Sequence, residues 1–314
     1  DGARLPLVSG AVVGSIDAQT VVDAVGLGAV YALMAVGIGL VFGVLRLVNF
    51  AYGQIVMAGA YALAFTSQAG WPTWAGIAMC VVVTVAVSTV MDRLVFRPLR
   101  TQSPAVMLVT TFAVAFLLQN VALLIDVRDD TIGEPAASVA SLNRAVTVWG
   151  VEIRKVTIVA VVVAVVSLGL LALLLTRTRI GLQMRAAATD FGTARLLGVR
   201  ANTVIGAAVL LSALLAAAVA VILTVQNPLV SPDFALKDTI IVLVGVVVGG
   251  IDRLWTAMLG GFAIGFVTGV INGALPTDKT VFLPSVVFAL VIVVLLIRPS
   301  GLFARGRTGV VERL

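Results

Sequence analysis

Apolar residues in this chain come in long runs rather than in alternation. Stretches of about 20 residues with almost no charge recur along the whole length, and the charges that separate them fall in clusters. Each such run is long enough, as a helix, to cross roughly 30 Å of hydrocarbon. With the charge clusters as punctuation, the pattern predicts nine segments, near 24–45, 47–66, 73–90, 104–125, 156–175, 203–225, 239–251, 254–275 and 281–297. The run from Thr239 to Ile251 has only 13 residues, about 20 Å of helix, and reads as re-entrant, broken or shared with its neighbour. Asn49 and Gln54 fall inside the second segment and Pro284 inside the ninth. Discontinuities at such depth are tolerated only where protein or a water-filled cavity covers the freed backbone. The expected fold class is an all-α polytopic membrane protein with about 8–9 transmembrane helices, some broken or re-entrant, forming a single membrane domain over 1–314.

Composition agrees with the pattern. The 314 residues are 61% hydrophobic and 11% charged, far from the balance of a soluble domain. Charge adds orientation. Fourteen of the 21 Lys and Arg residues fall in 91–103, 176–202 and 298–314 or at Arg46 and Arg253, whereas 11 of the 15 acids lie on the opposite side. The positive-inside rule makes the basic side cytoplasmic, which gives an external N-terminus and a cytoplasmic C-terminus. The net charge of +6 is then a topology signal, and nucleic acid is not an expected partner. The longest external connection, about 126–155, has room for a small lid or short strands, and 298–314 reads as a basic cytoplasmic tail. The chain opens on Asp1 rather than methionine, which reads as loss of an N-terminal piece such as a signal peptide.

Candidate chemistry is sparse. With no histidine and the single cysteine Cys80 in an apolar run, the sequence offers no metal cluster, disulfide framework or hydrolytic triad. No acidic pair falls within a predicted span, so an intramembrane enzyme and a proton-driven carrier are both poorly supported. Asp252 beside Arg253 reads as an interfacial ion pair. No GxGxxG or Walker pattern occurs, so the chain carries no P-loop of its own. No cofactor is expected on it.

Glycine and amides carry the remaining signals. Gly261, Gly265, Gly269 and Gly273 recur every four residues and form one stripe of the small-xxx-small kind, suited to close helix packing within the chain or against a partner subunit. Gly26, Gly28, Gly37, Gly39 and Gly43 thin the first segment in the same way. In RLVNFAYGQ, 46–54, Asn49 and Gln54 offer amides and Gly53 permits a bend. Either Asn49 caps a helix and Gln54 bonds across an interface, or the helix breaks and Asn49, Tyr52, Gly53 and Gln54 line a translocation path. Gln119, Asn120 and Asn272 are further candidates of the second kind. The segment 176–200 holds five arginines; Arg177 and Arg179 sit directly at the end of a span and read as topological anchors that meet anionic lipid headgroups. Beyond them, Arg185 to Asp190 is helix-compatible with a capping residue, Gly192 can turn the chain, and Thr193 to Leu197 reads as a second short helix ended by Gly198.

These residues together resemble a family. GLGAVYALMAVGIGLVFGVLRLVNFAYGQIVMAGAYAL resembles the first membrane region of branched-chain amino acid ABC transporter permeases of the shorter, H-type subunit, with their Asn-Phe-Ala-x-Gly signature at Asn49 to Gly53. FRPLR at 96–100, LLQN at 117–120 and RPSGLF at 298–303 look like later landmarks in the same order, and RAAATDFGTARLLGV looks like the cytoplasmic loop that engages the ATPase. Where the family usually has a Gly-rich turn followed by Ile-Pro-Gly-Ala, this chain reads GGIDRLWTA at 249–257. The resemblance implies a subunit of a bacterial inner-membrane importer that translocates branched-chain amino acids by alternating access. Its partners would be a homologous permease, two cytoplasmic ATPases that bind ATP and Mg, and an extracytoplasmic binding protein. Within the loop it marks Arg185, Ala188, Asp190, Ala194, Arg195, Leu196, Leu197 and Gly198 as the coupling element, with the leucines as apolar anchor and the arginines as hydrogen-bond donors. Related importers of urea, short amides or other amino acids share nearly the same landmarks. A channel or facilitator without ATPases, and a structural subunit without a path, are the alternatives from other classes.

Overall fold

The computed structural model describes residues 18–45, 49–99, 102–128, 133–140, 145–148, 151–189, 191–250 and 253–297. Helix α1 spans Ala18–Leu45, α2 Tyr52–Gln68 and α3 Thr73–Met91, which runs on through a π-helical turn, Asp92–Phe96, into the short α4, Arg97–Leu99. Helix α5 spans Pro104–Arg128 and is followed by strand β1 (Glu134–Pro135), the single turn α6 (Ala137–Ala140), and strands β2 (Ala145–Val148) and β3 (Val151–Arg154). Then come α7 (Lys155–Arg177), the pair α8 (Arg179–Thr189) and α9 (Phe191–Leu196), and α10 (Ala201–Gln226). Strand β4 (Leu229–Val230), α11 (Leu236–Gly249), α12 (Leu254–Ala274), a 3-10 turn (Thr277–Phe282) and α13 (Leu283–Ile297) complete the order. In hydrocarbon a helix satisfies its own backbone groups, which is why apolar runs of this length become helices. Among the described residues, seven helices are long and apolar enough to cross a membrane, and α2 and α11 are the two short ones beside them.

Helix α1 is the centre of the molecule. Of its most apolar stretch 83% is buried, against 17% for α5, 17% for α7 and 11% for α13, so those three form the outer surface. The glycine stripe of α12 packs along α1. A side-chain carbon on Gly265 would lie 2.8 Å from Gly28 Cα and 2.9 Å from the Leu27 carbonyl, and one on Gly261 would lie 2.8 Å from the Tyr31 carbonyl. Gly269 meets the Ala24 backbone in the same way and Gly273 meets the Thr20 side chain, so the two helices run antiparallel, with backbone contact from Gly261 to Gly269. On other faces of α1, Gly26 accommodates Thr157 of α7, and the Gly37 carbonyl accepts a hydrogen bond of 2.7 Å from Ser212 Oγ of α10.

The two ends of the bundle differ. At one end, β1 pairs antiparallel with β4, Glu134 opposite Val230, and β2 with β3 forms a hairpin. Tyr61 Oη of α2 donates to both carboxylate oxygens of Asp126, at 2.9 and 3.0 Å, and Gln68 Nε2 donates to Glu134. The 126–155 connection thus contains the short strands its length allowed, tied to α2 and to the end of α10. At the other end lie the α8–α9 hairpin, the start of α12 and the end of α1.

Three boundaries differ from the sequence pattern. The first helix begins at Ala18 rather than near 24. The second begins at Tyr52, so Asn49 precedes it instead of lying within it. Pro284 does not interrupt the ninth segment: it sits in the first turn of α13, where its missing N–H has no helical partner to lose. Asp252 lies outside the described residues, as do Arg46 and the 298–314 tail.

Candidate translocation and coupling sites

The α1–α2 junction places four of the predicted residues together. Asn49 Oδ1 accepts from the Ala51 amide at 3.0 Å, a side-chain bond in the turn before α2. Tyr52 packs against Gly37, eight residues before the end of α1 and about 12 Å back along its axis, so α2 begins within the depth of the bundle rather than at its surface. Gly53 lies against the Ala235 carbonyl and Thr239 of α11, and a Cβ there would overlap both. The starts of the two short helices therefore meet, and glycine is what lets them. Asn49, Tyr52 and Gln54 are all buried, at 3%, 1% and 1% exposure. Among the described residues neither Tyr52 Oη nor Gln54 Oε1 has a hydrogen-bond partner. A buried polar group left unpaired costs about 1–3 kcal/mol, so two of them within one helical turn call for an explanation.

The other amides do not join this cluster. Asn120 is exposed on α5 and its Nδ2 donates to the Phe116 carbonyl of its own helix at 2.8 Å; Gln119 is its partly exposed neighbour, and Asn272 is exposed near the end of α12.

Carboxylates that the sequence pattern kept out of the spans nonetheless lie at helix ends, Asp92 buried and Asp238 partly buried. Asp92, in the π-helical turn, pairs with Arg97 Nε at 2.9 Å, and its other oxygen is unpartnered among the described residues. Asp238, in the first turn of α11, accepts from Tyr31 Oη of α1 at 2.6 Å. The sequence reading began this segment at Thr239, three residues after the helix starts, and so missed the acid. A lone Asp directly before a short apolar run was the signal.

The α8–α9 pair has the predicted outline of two short helices, with one correction. Gly192 lies inside the first turn of α9 and does not turn the chain; Asp190, between the two helices in sequence, lies outside the described residues. Gly198 does end the hairpin, with φ +89°, a left-handed conformation that disfavours any side chain. Ala187 and Ala194 are buried, and Met184 packs inward at 2% exposure. Leu196 and Leu197 point away from the protein at 89% and 80% exposure. Arg185 is exposed and Ala188 partly buried.

The sequence model of branched-chain amino acid transport system permease components matches residues 20–297. The chain belongs to this family. The permease is 30% identical over 302 residues to the high-affinity branched-chain amino acid transport system permease protein BraD of Pseudomonas aeruginosa, covering 91% of this chain and 95% of the relative. Identity and coverage are the same for the corresponding permease protein LivH of Escherichia coli K12. A solved inward-facing ABC transporter of metal-chelate type has the same fold at TM-score 0.53 and 17% identity, covering 89% of this chain and 86% of that one. Expectations of an ABC-permease fold and of a multi-pass membrane protein are both met; the likeness to the metal-chelate transporter carries fold alone.

Proposed function

We propose that the permease is the membrane-spanning subunit of an ATP-driven bacterial inner-membrane importer and carries branched-chain amino acids by alternating access. The end bearing α8 and α9 is cytoplasmic in this reading, supported by the 14 basic residues that the sequence groups on that side, and the strand-bearing end faces outward. The observation that carries the reading is the α8–α9 hairpin of a family permease, with two adjacent leucines that no described residue covers. Paired exposed leucines beside a closed helix end mark a docking surface rather than a topology signal. Their occupant is one of two cytoplasmic ATPases, which bind ATP and Mg. A homologous permease and an extracytoplasmic binding protein complete the complex. No bond is made or broken on this chain, and no cofactor sits on it.

Closure of the ATPases moves α8 and α9, and with them the helices they continue, α7 and α10. Alternating access then opens the α1–α2 junction, where the unpaired Tyr52 Oη and Gln54 Oε1 gain water or substrate partners. Small, apolar and amide side chains suit a zwitterion with an apolar tail. Leu197→Asp tests the coupling: insertion is expected to persist while substrate-stimulated ATP hydrolysis is lost, and normal coupled transport would reject it. Uptake competition by leucine, valine, urea and short amides in the reconstituted complex tests the substrate, with leucine and valine expected to compete and the others not.

A further inference from the structure

A cavity of about 460 Å³ opens at the hairpin end between α1, α7, α8 and α12. That lies in the range of small-molecule sites, about 300–1,000 Å³. Its walls run from Val36 to Val44 on α1 and from Leu168 to Thr176 on α7, nine residues each, so it follows the helix axes for about 12 Å. The depth is apolar and the mouth is not. Arg185 of α8 and Arg253, directly before α12, stand there with Trp255, which is 63% exposed. Among the described residues no acidic side chain lines the cavity and neither arginine forms an ion pair. Gly43 widens it: a Cβ at this position meets nothing within 4 Å.

We propose that this groove holds an anionic glycerophospholipid, with one acyl chain lying along α1 and α7 and its phosphate between Arg185 and Arg253. An apolar slot closed at a membrane end by two guanidinium groups, neither in an ion pair among the described residues, matches the two halves of such a molecule. Basic pockets between transmembrane helices recruit anionic headgroups, and an exposed tryptophan beside them sits at headgroup level. A zwitterionic lipid brings the same chain without the net charge, which is why the arginines select. The lipid touches α8 on one side and α1 and α12 on the other, so it braces the hairpin against the centre of the bundle. The leaflet, cytoplasmic, follows from the orientation proposed above; the binding does not depend on that orientation or on the transport reading.

The test is retention of lipid by the full-length permease, alone and in its assembled complex, after purification from phosphatidylcholine bilayers doped with phosphatidylglycerol, read by native mass spectrometry. Wild type is expected to keep phosphatidylglycerol in preference to phosphatidylcholine. Arg253→Gln is expected to lower that retention roughly fivefold, the effect of one basic residue near a charged surface. Gly43→Leu fills the slot and is expected to remove the bound lipid at unchanged thermal midpoint; if that variant does not fold, Arg253→Gln carries the test. Arg200→Gln, exposed and outside the groove, is expected to change nothing. Equal retention of the two lipids, an equal loss in Arg200→Gln, or loss of the lipid on assembly with the partner permease would each overturn the proposal, the last by showing that protein fills the groove.

Discussion

The α1–α12 seam and the α8–α9 hairpin use small and large residues in opposite ways. Along the seam, glycines bring two backbones into contact and leave almost nothing exposed. On the hairpin, alanines and Met184 bury one face while Leu196 and Leu197 stand in the open. The seam is complete within the chain; the hairpin is not. Tight packing resists continuous deformation, so in the proposed cycle a push on the hairpin would pass through the seam as a rigid-body movement rather than be absorbed.

The largest effect expected from this contrast is at the seam. Gly265→Leu forces a side chain into Gly28 and the Leu27 carbonyl, backbone that cannot yield. Overpacking costs typically 1–3 kcal/mol and more where backbone must move, so the yield of monodisperse permease is expected to collapse, whereas Leu196→Ala on the hairpin is expected to express normally. A well-folded Gly265→Leu protein would remove the seam from the account.

An intermediate effect is expected where α1 meets α11. Tyr31→Phe leaves the Asp238 carboxylate without its 2.6 Å donor, and a loss of about 1–3 kcal/mol is expected, read as a lower thermal midpoint. Asp238→Asn keeps a hydrogen-bonding group and is expected to lose less. Identical midpoints for both variants and wild type would show that this bond does not hold α11 in place.

The smallest effect is expected at Asn120. Its amide returns to its own helix on an exposed face, so Asn120→Ala is expected to shift stability by less than about 0.5 kcal/mol. Transport separates the two readings of this residue: a defect at unchanged stability would place α5 on the path with the α1–α2 junction, and normal uptake would leave it as a helix surface.

Much of the helix layout was legible in the sequence because hydrocarbon demands long apolar runs, and these appear whatever the helices touch. The nine segments emerge with ends shifted by a few residues, and Gly198 marks the close of the hairpin. The glycine stripe gave the face of α12 but left open whether it met this chain or another; its contact with α1 decides that. Less legible was everything that depends on which helices become neighbours. Helices apolar all round carry no periodic signal of their buried face, so neither the central position of α1 nor the meeting of α2 with α11 could be read. The Tyr31–Asp238 bond joins residues 207 positions apart, and β1 finds β4 across the whole of α7 to α10. At the α1–α2 junction the pattern offered a cap or a path lining. Asn49 Oδ1 bonds the Ala51 amide in the turn before α2, which has no side-chain cap of its own, and Tyr52 and Gln54 each keep a buried polar atom without a partner among the described residues.

The central claim is that the exposed leucine pair is where the ATPase binds. The most direct measurement is the amount of ATPase that copurifies with membrane-inserted permease, comparing wild type with the double variant Leu196→Asp, Leu197→Asp at matched thermal midpoint. A stable complex with wild type and at least tenfold less ATPase with the variant, roughly the contribution of one well-packed apolar anchor, is the predicted result. Equal ATPase on both would contradict it and move the coupling surface elsewhere on the cytoplasmic face.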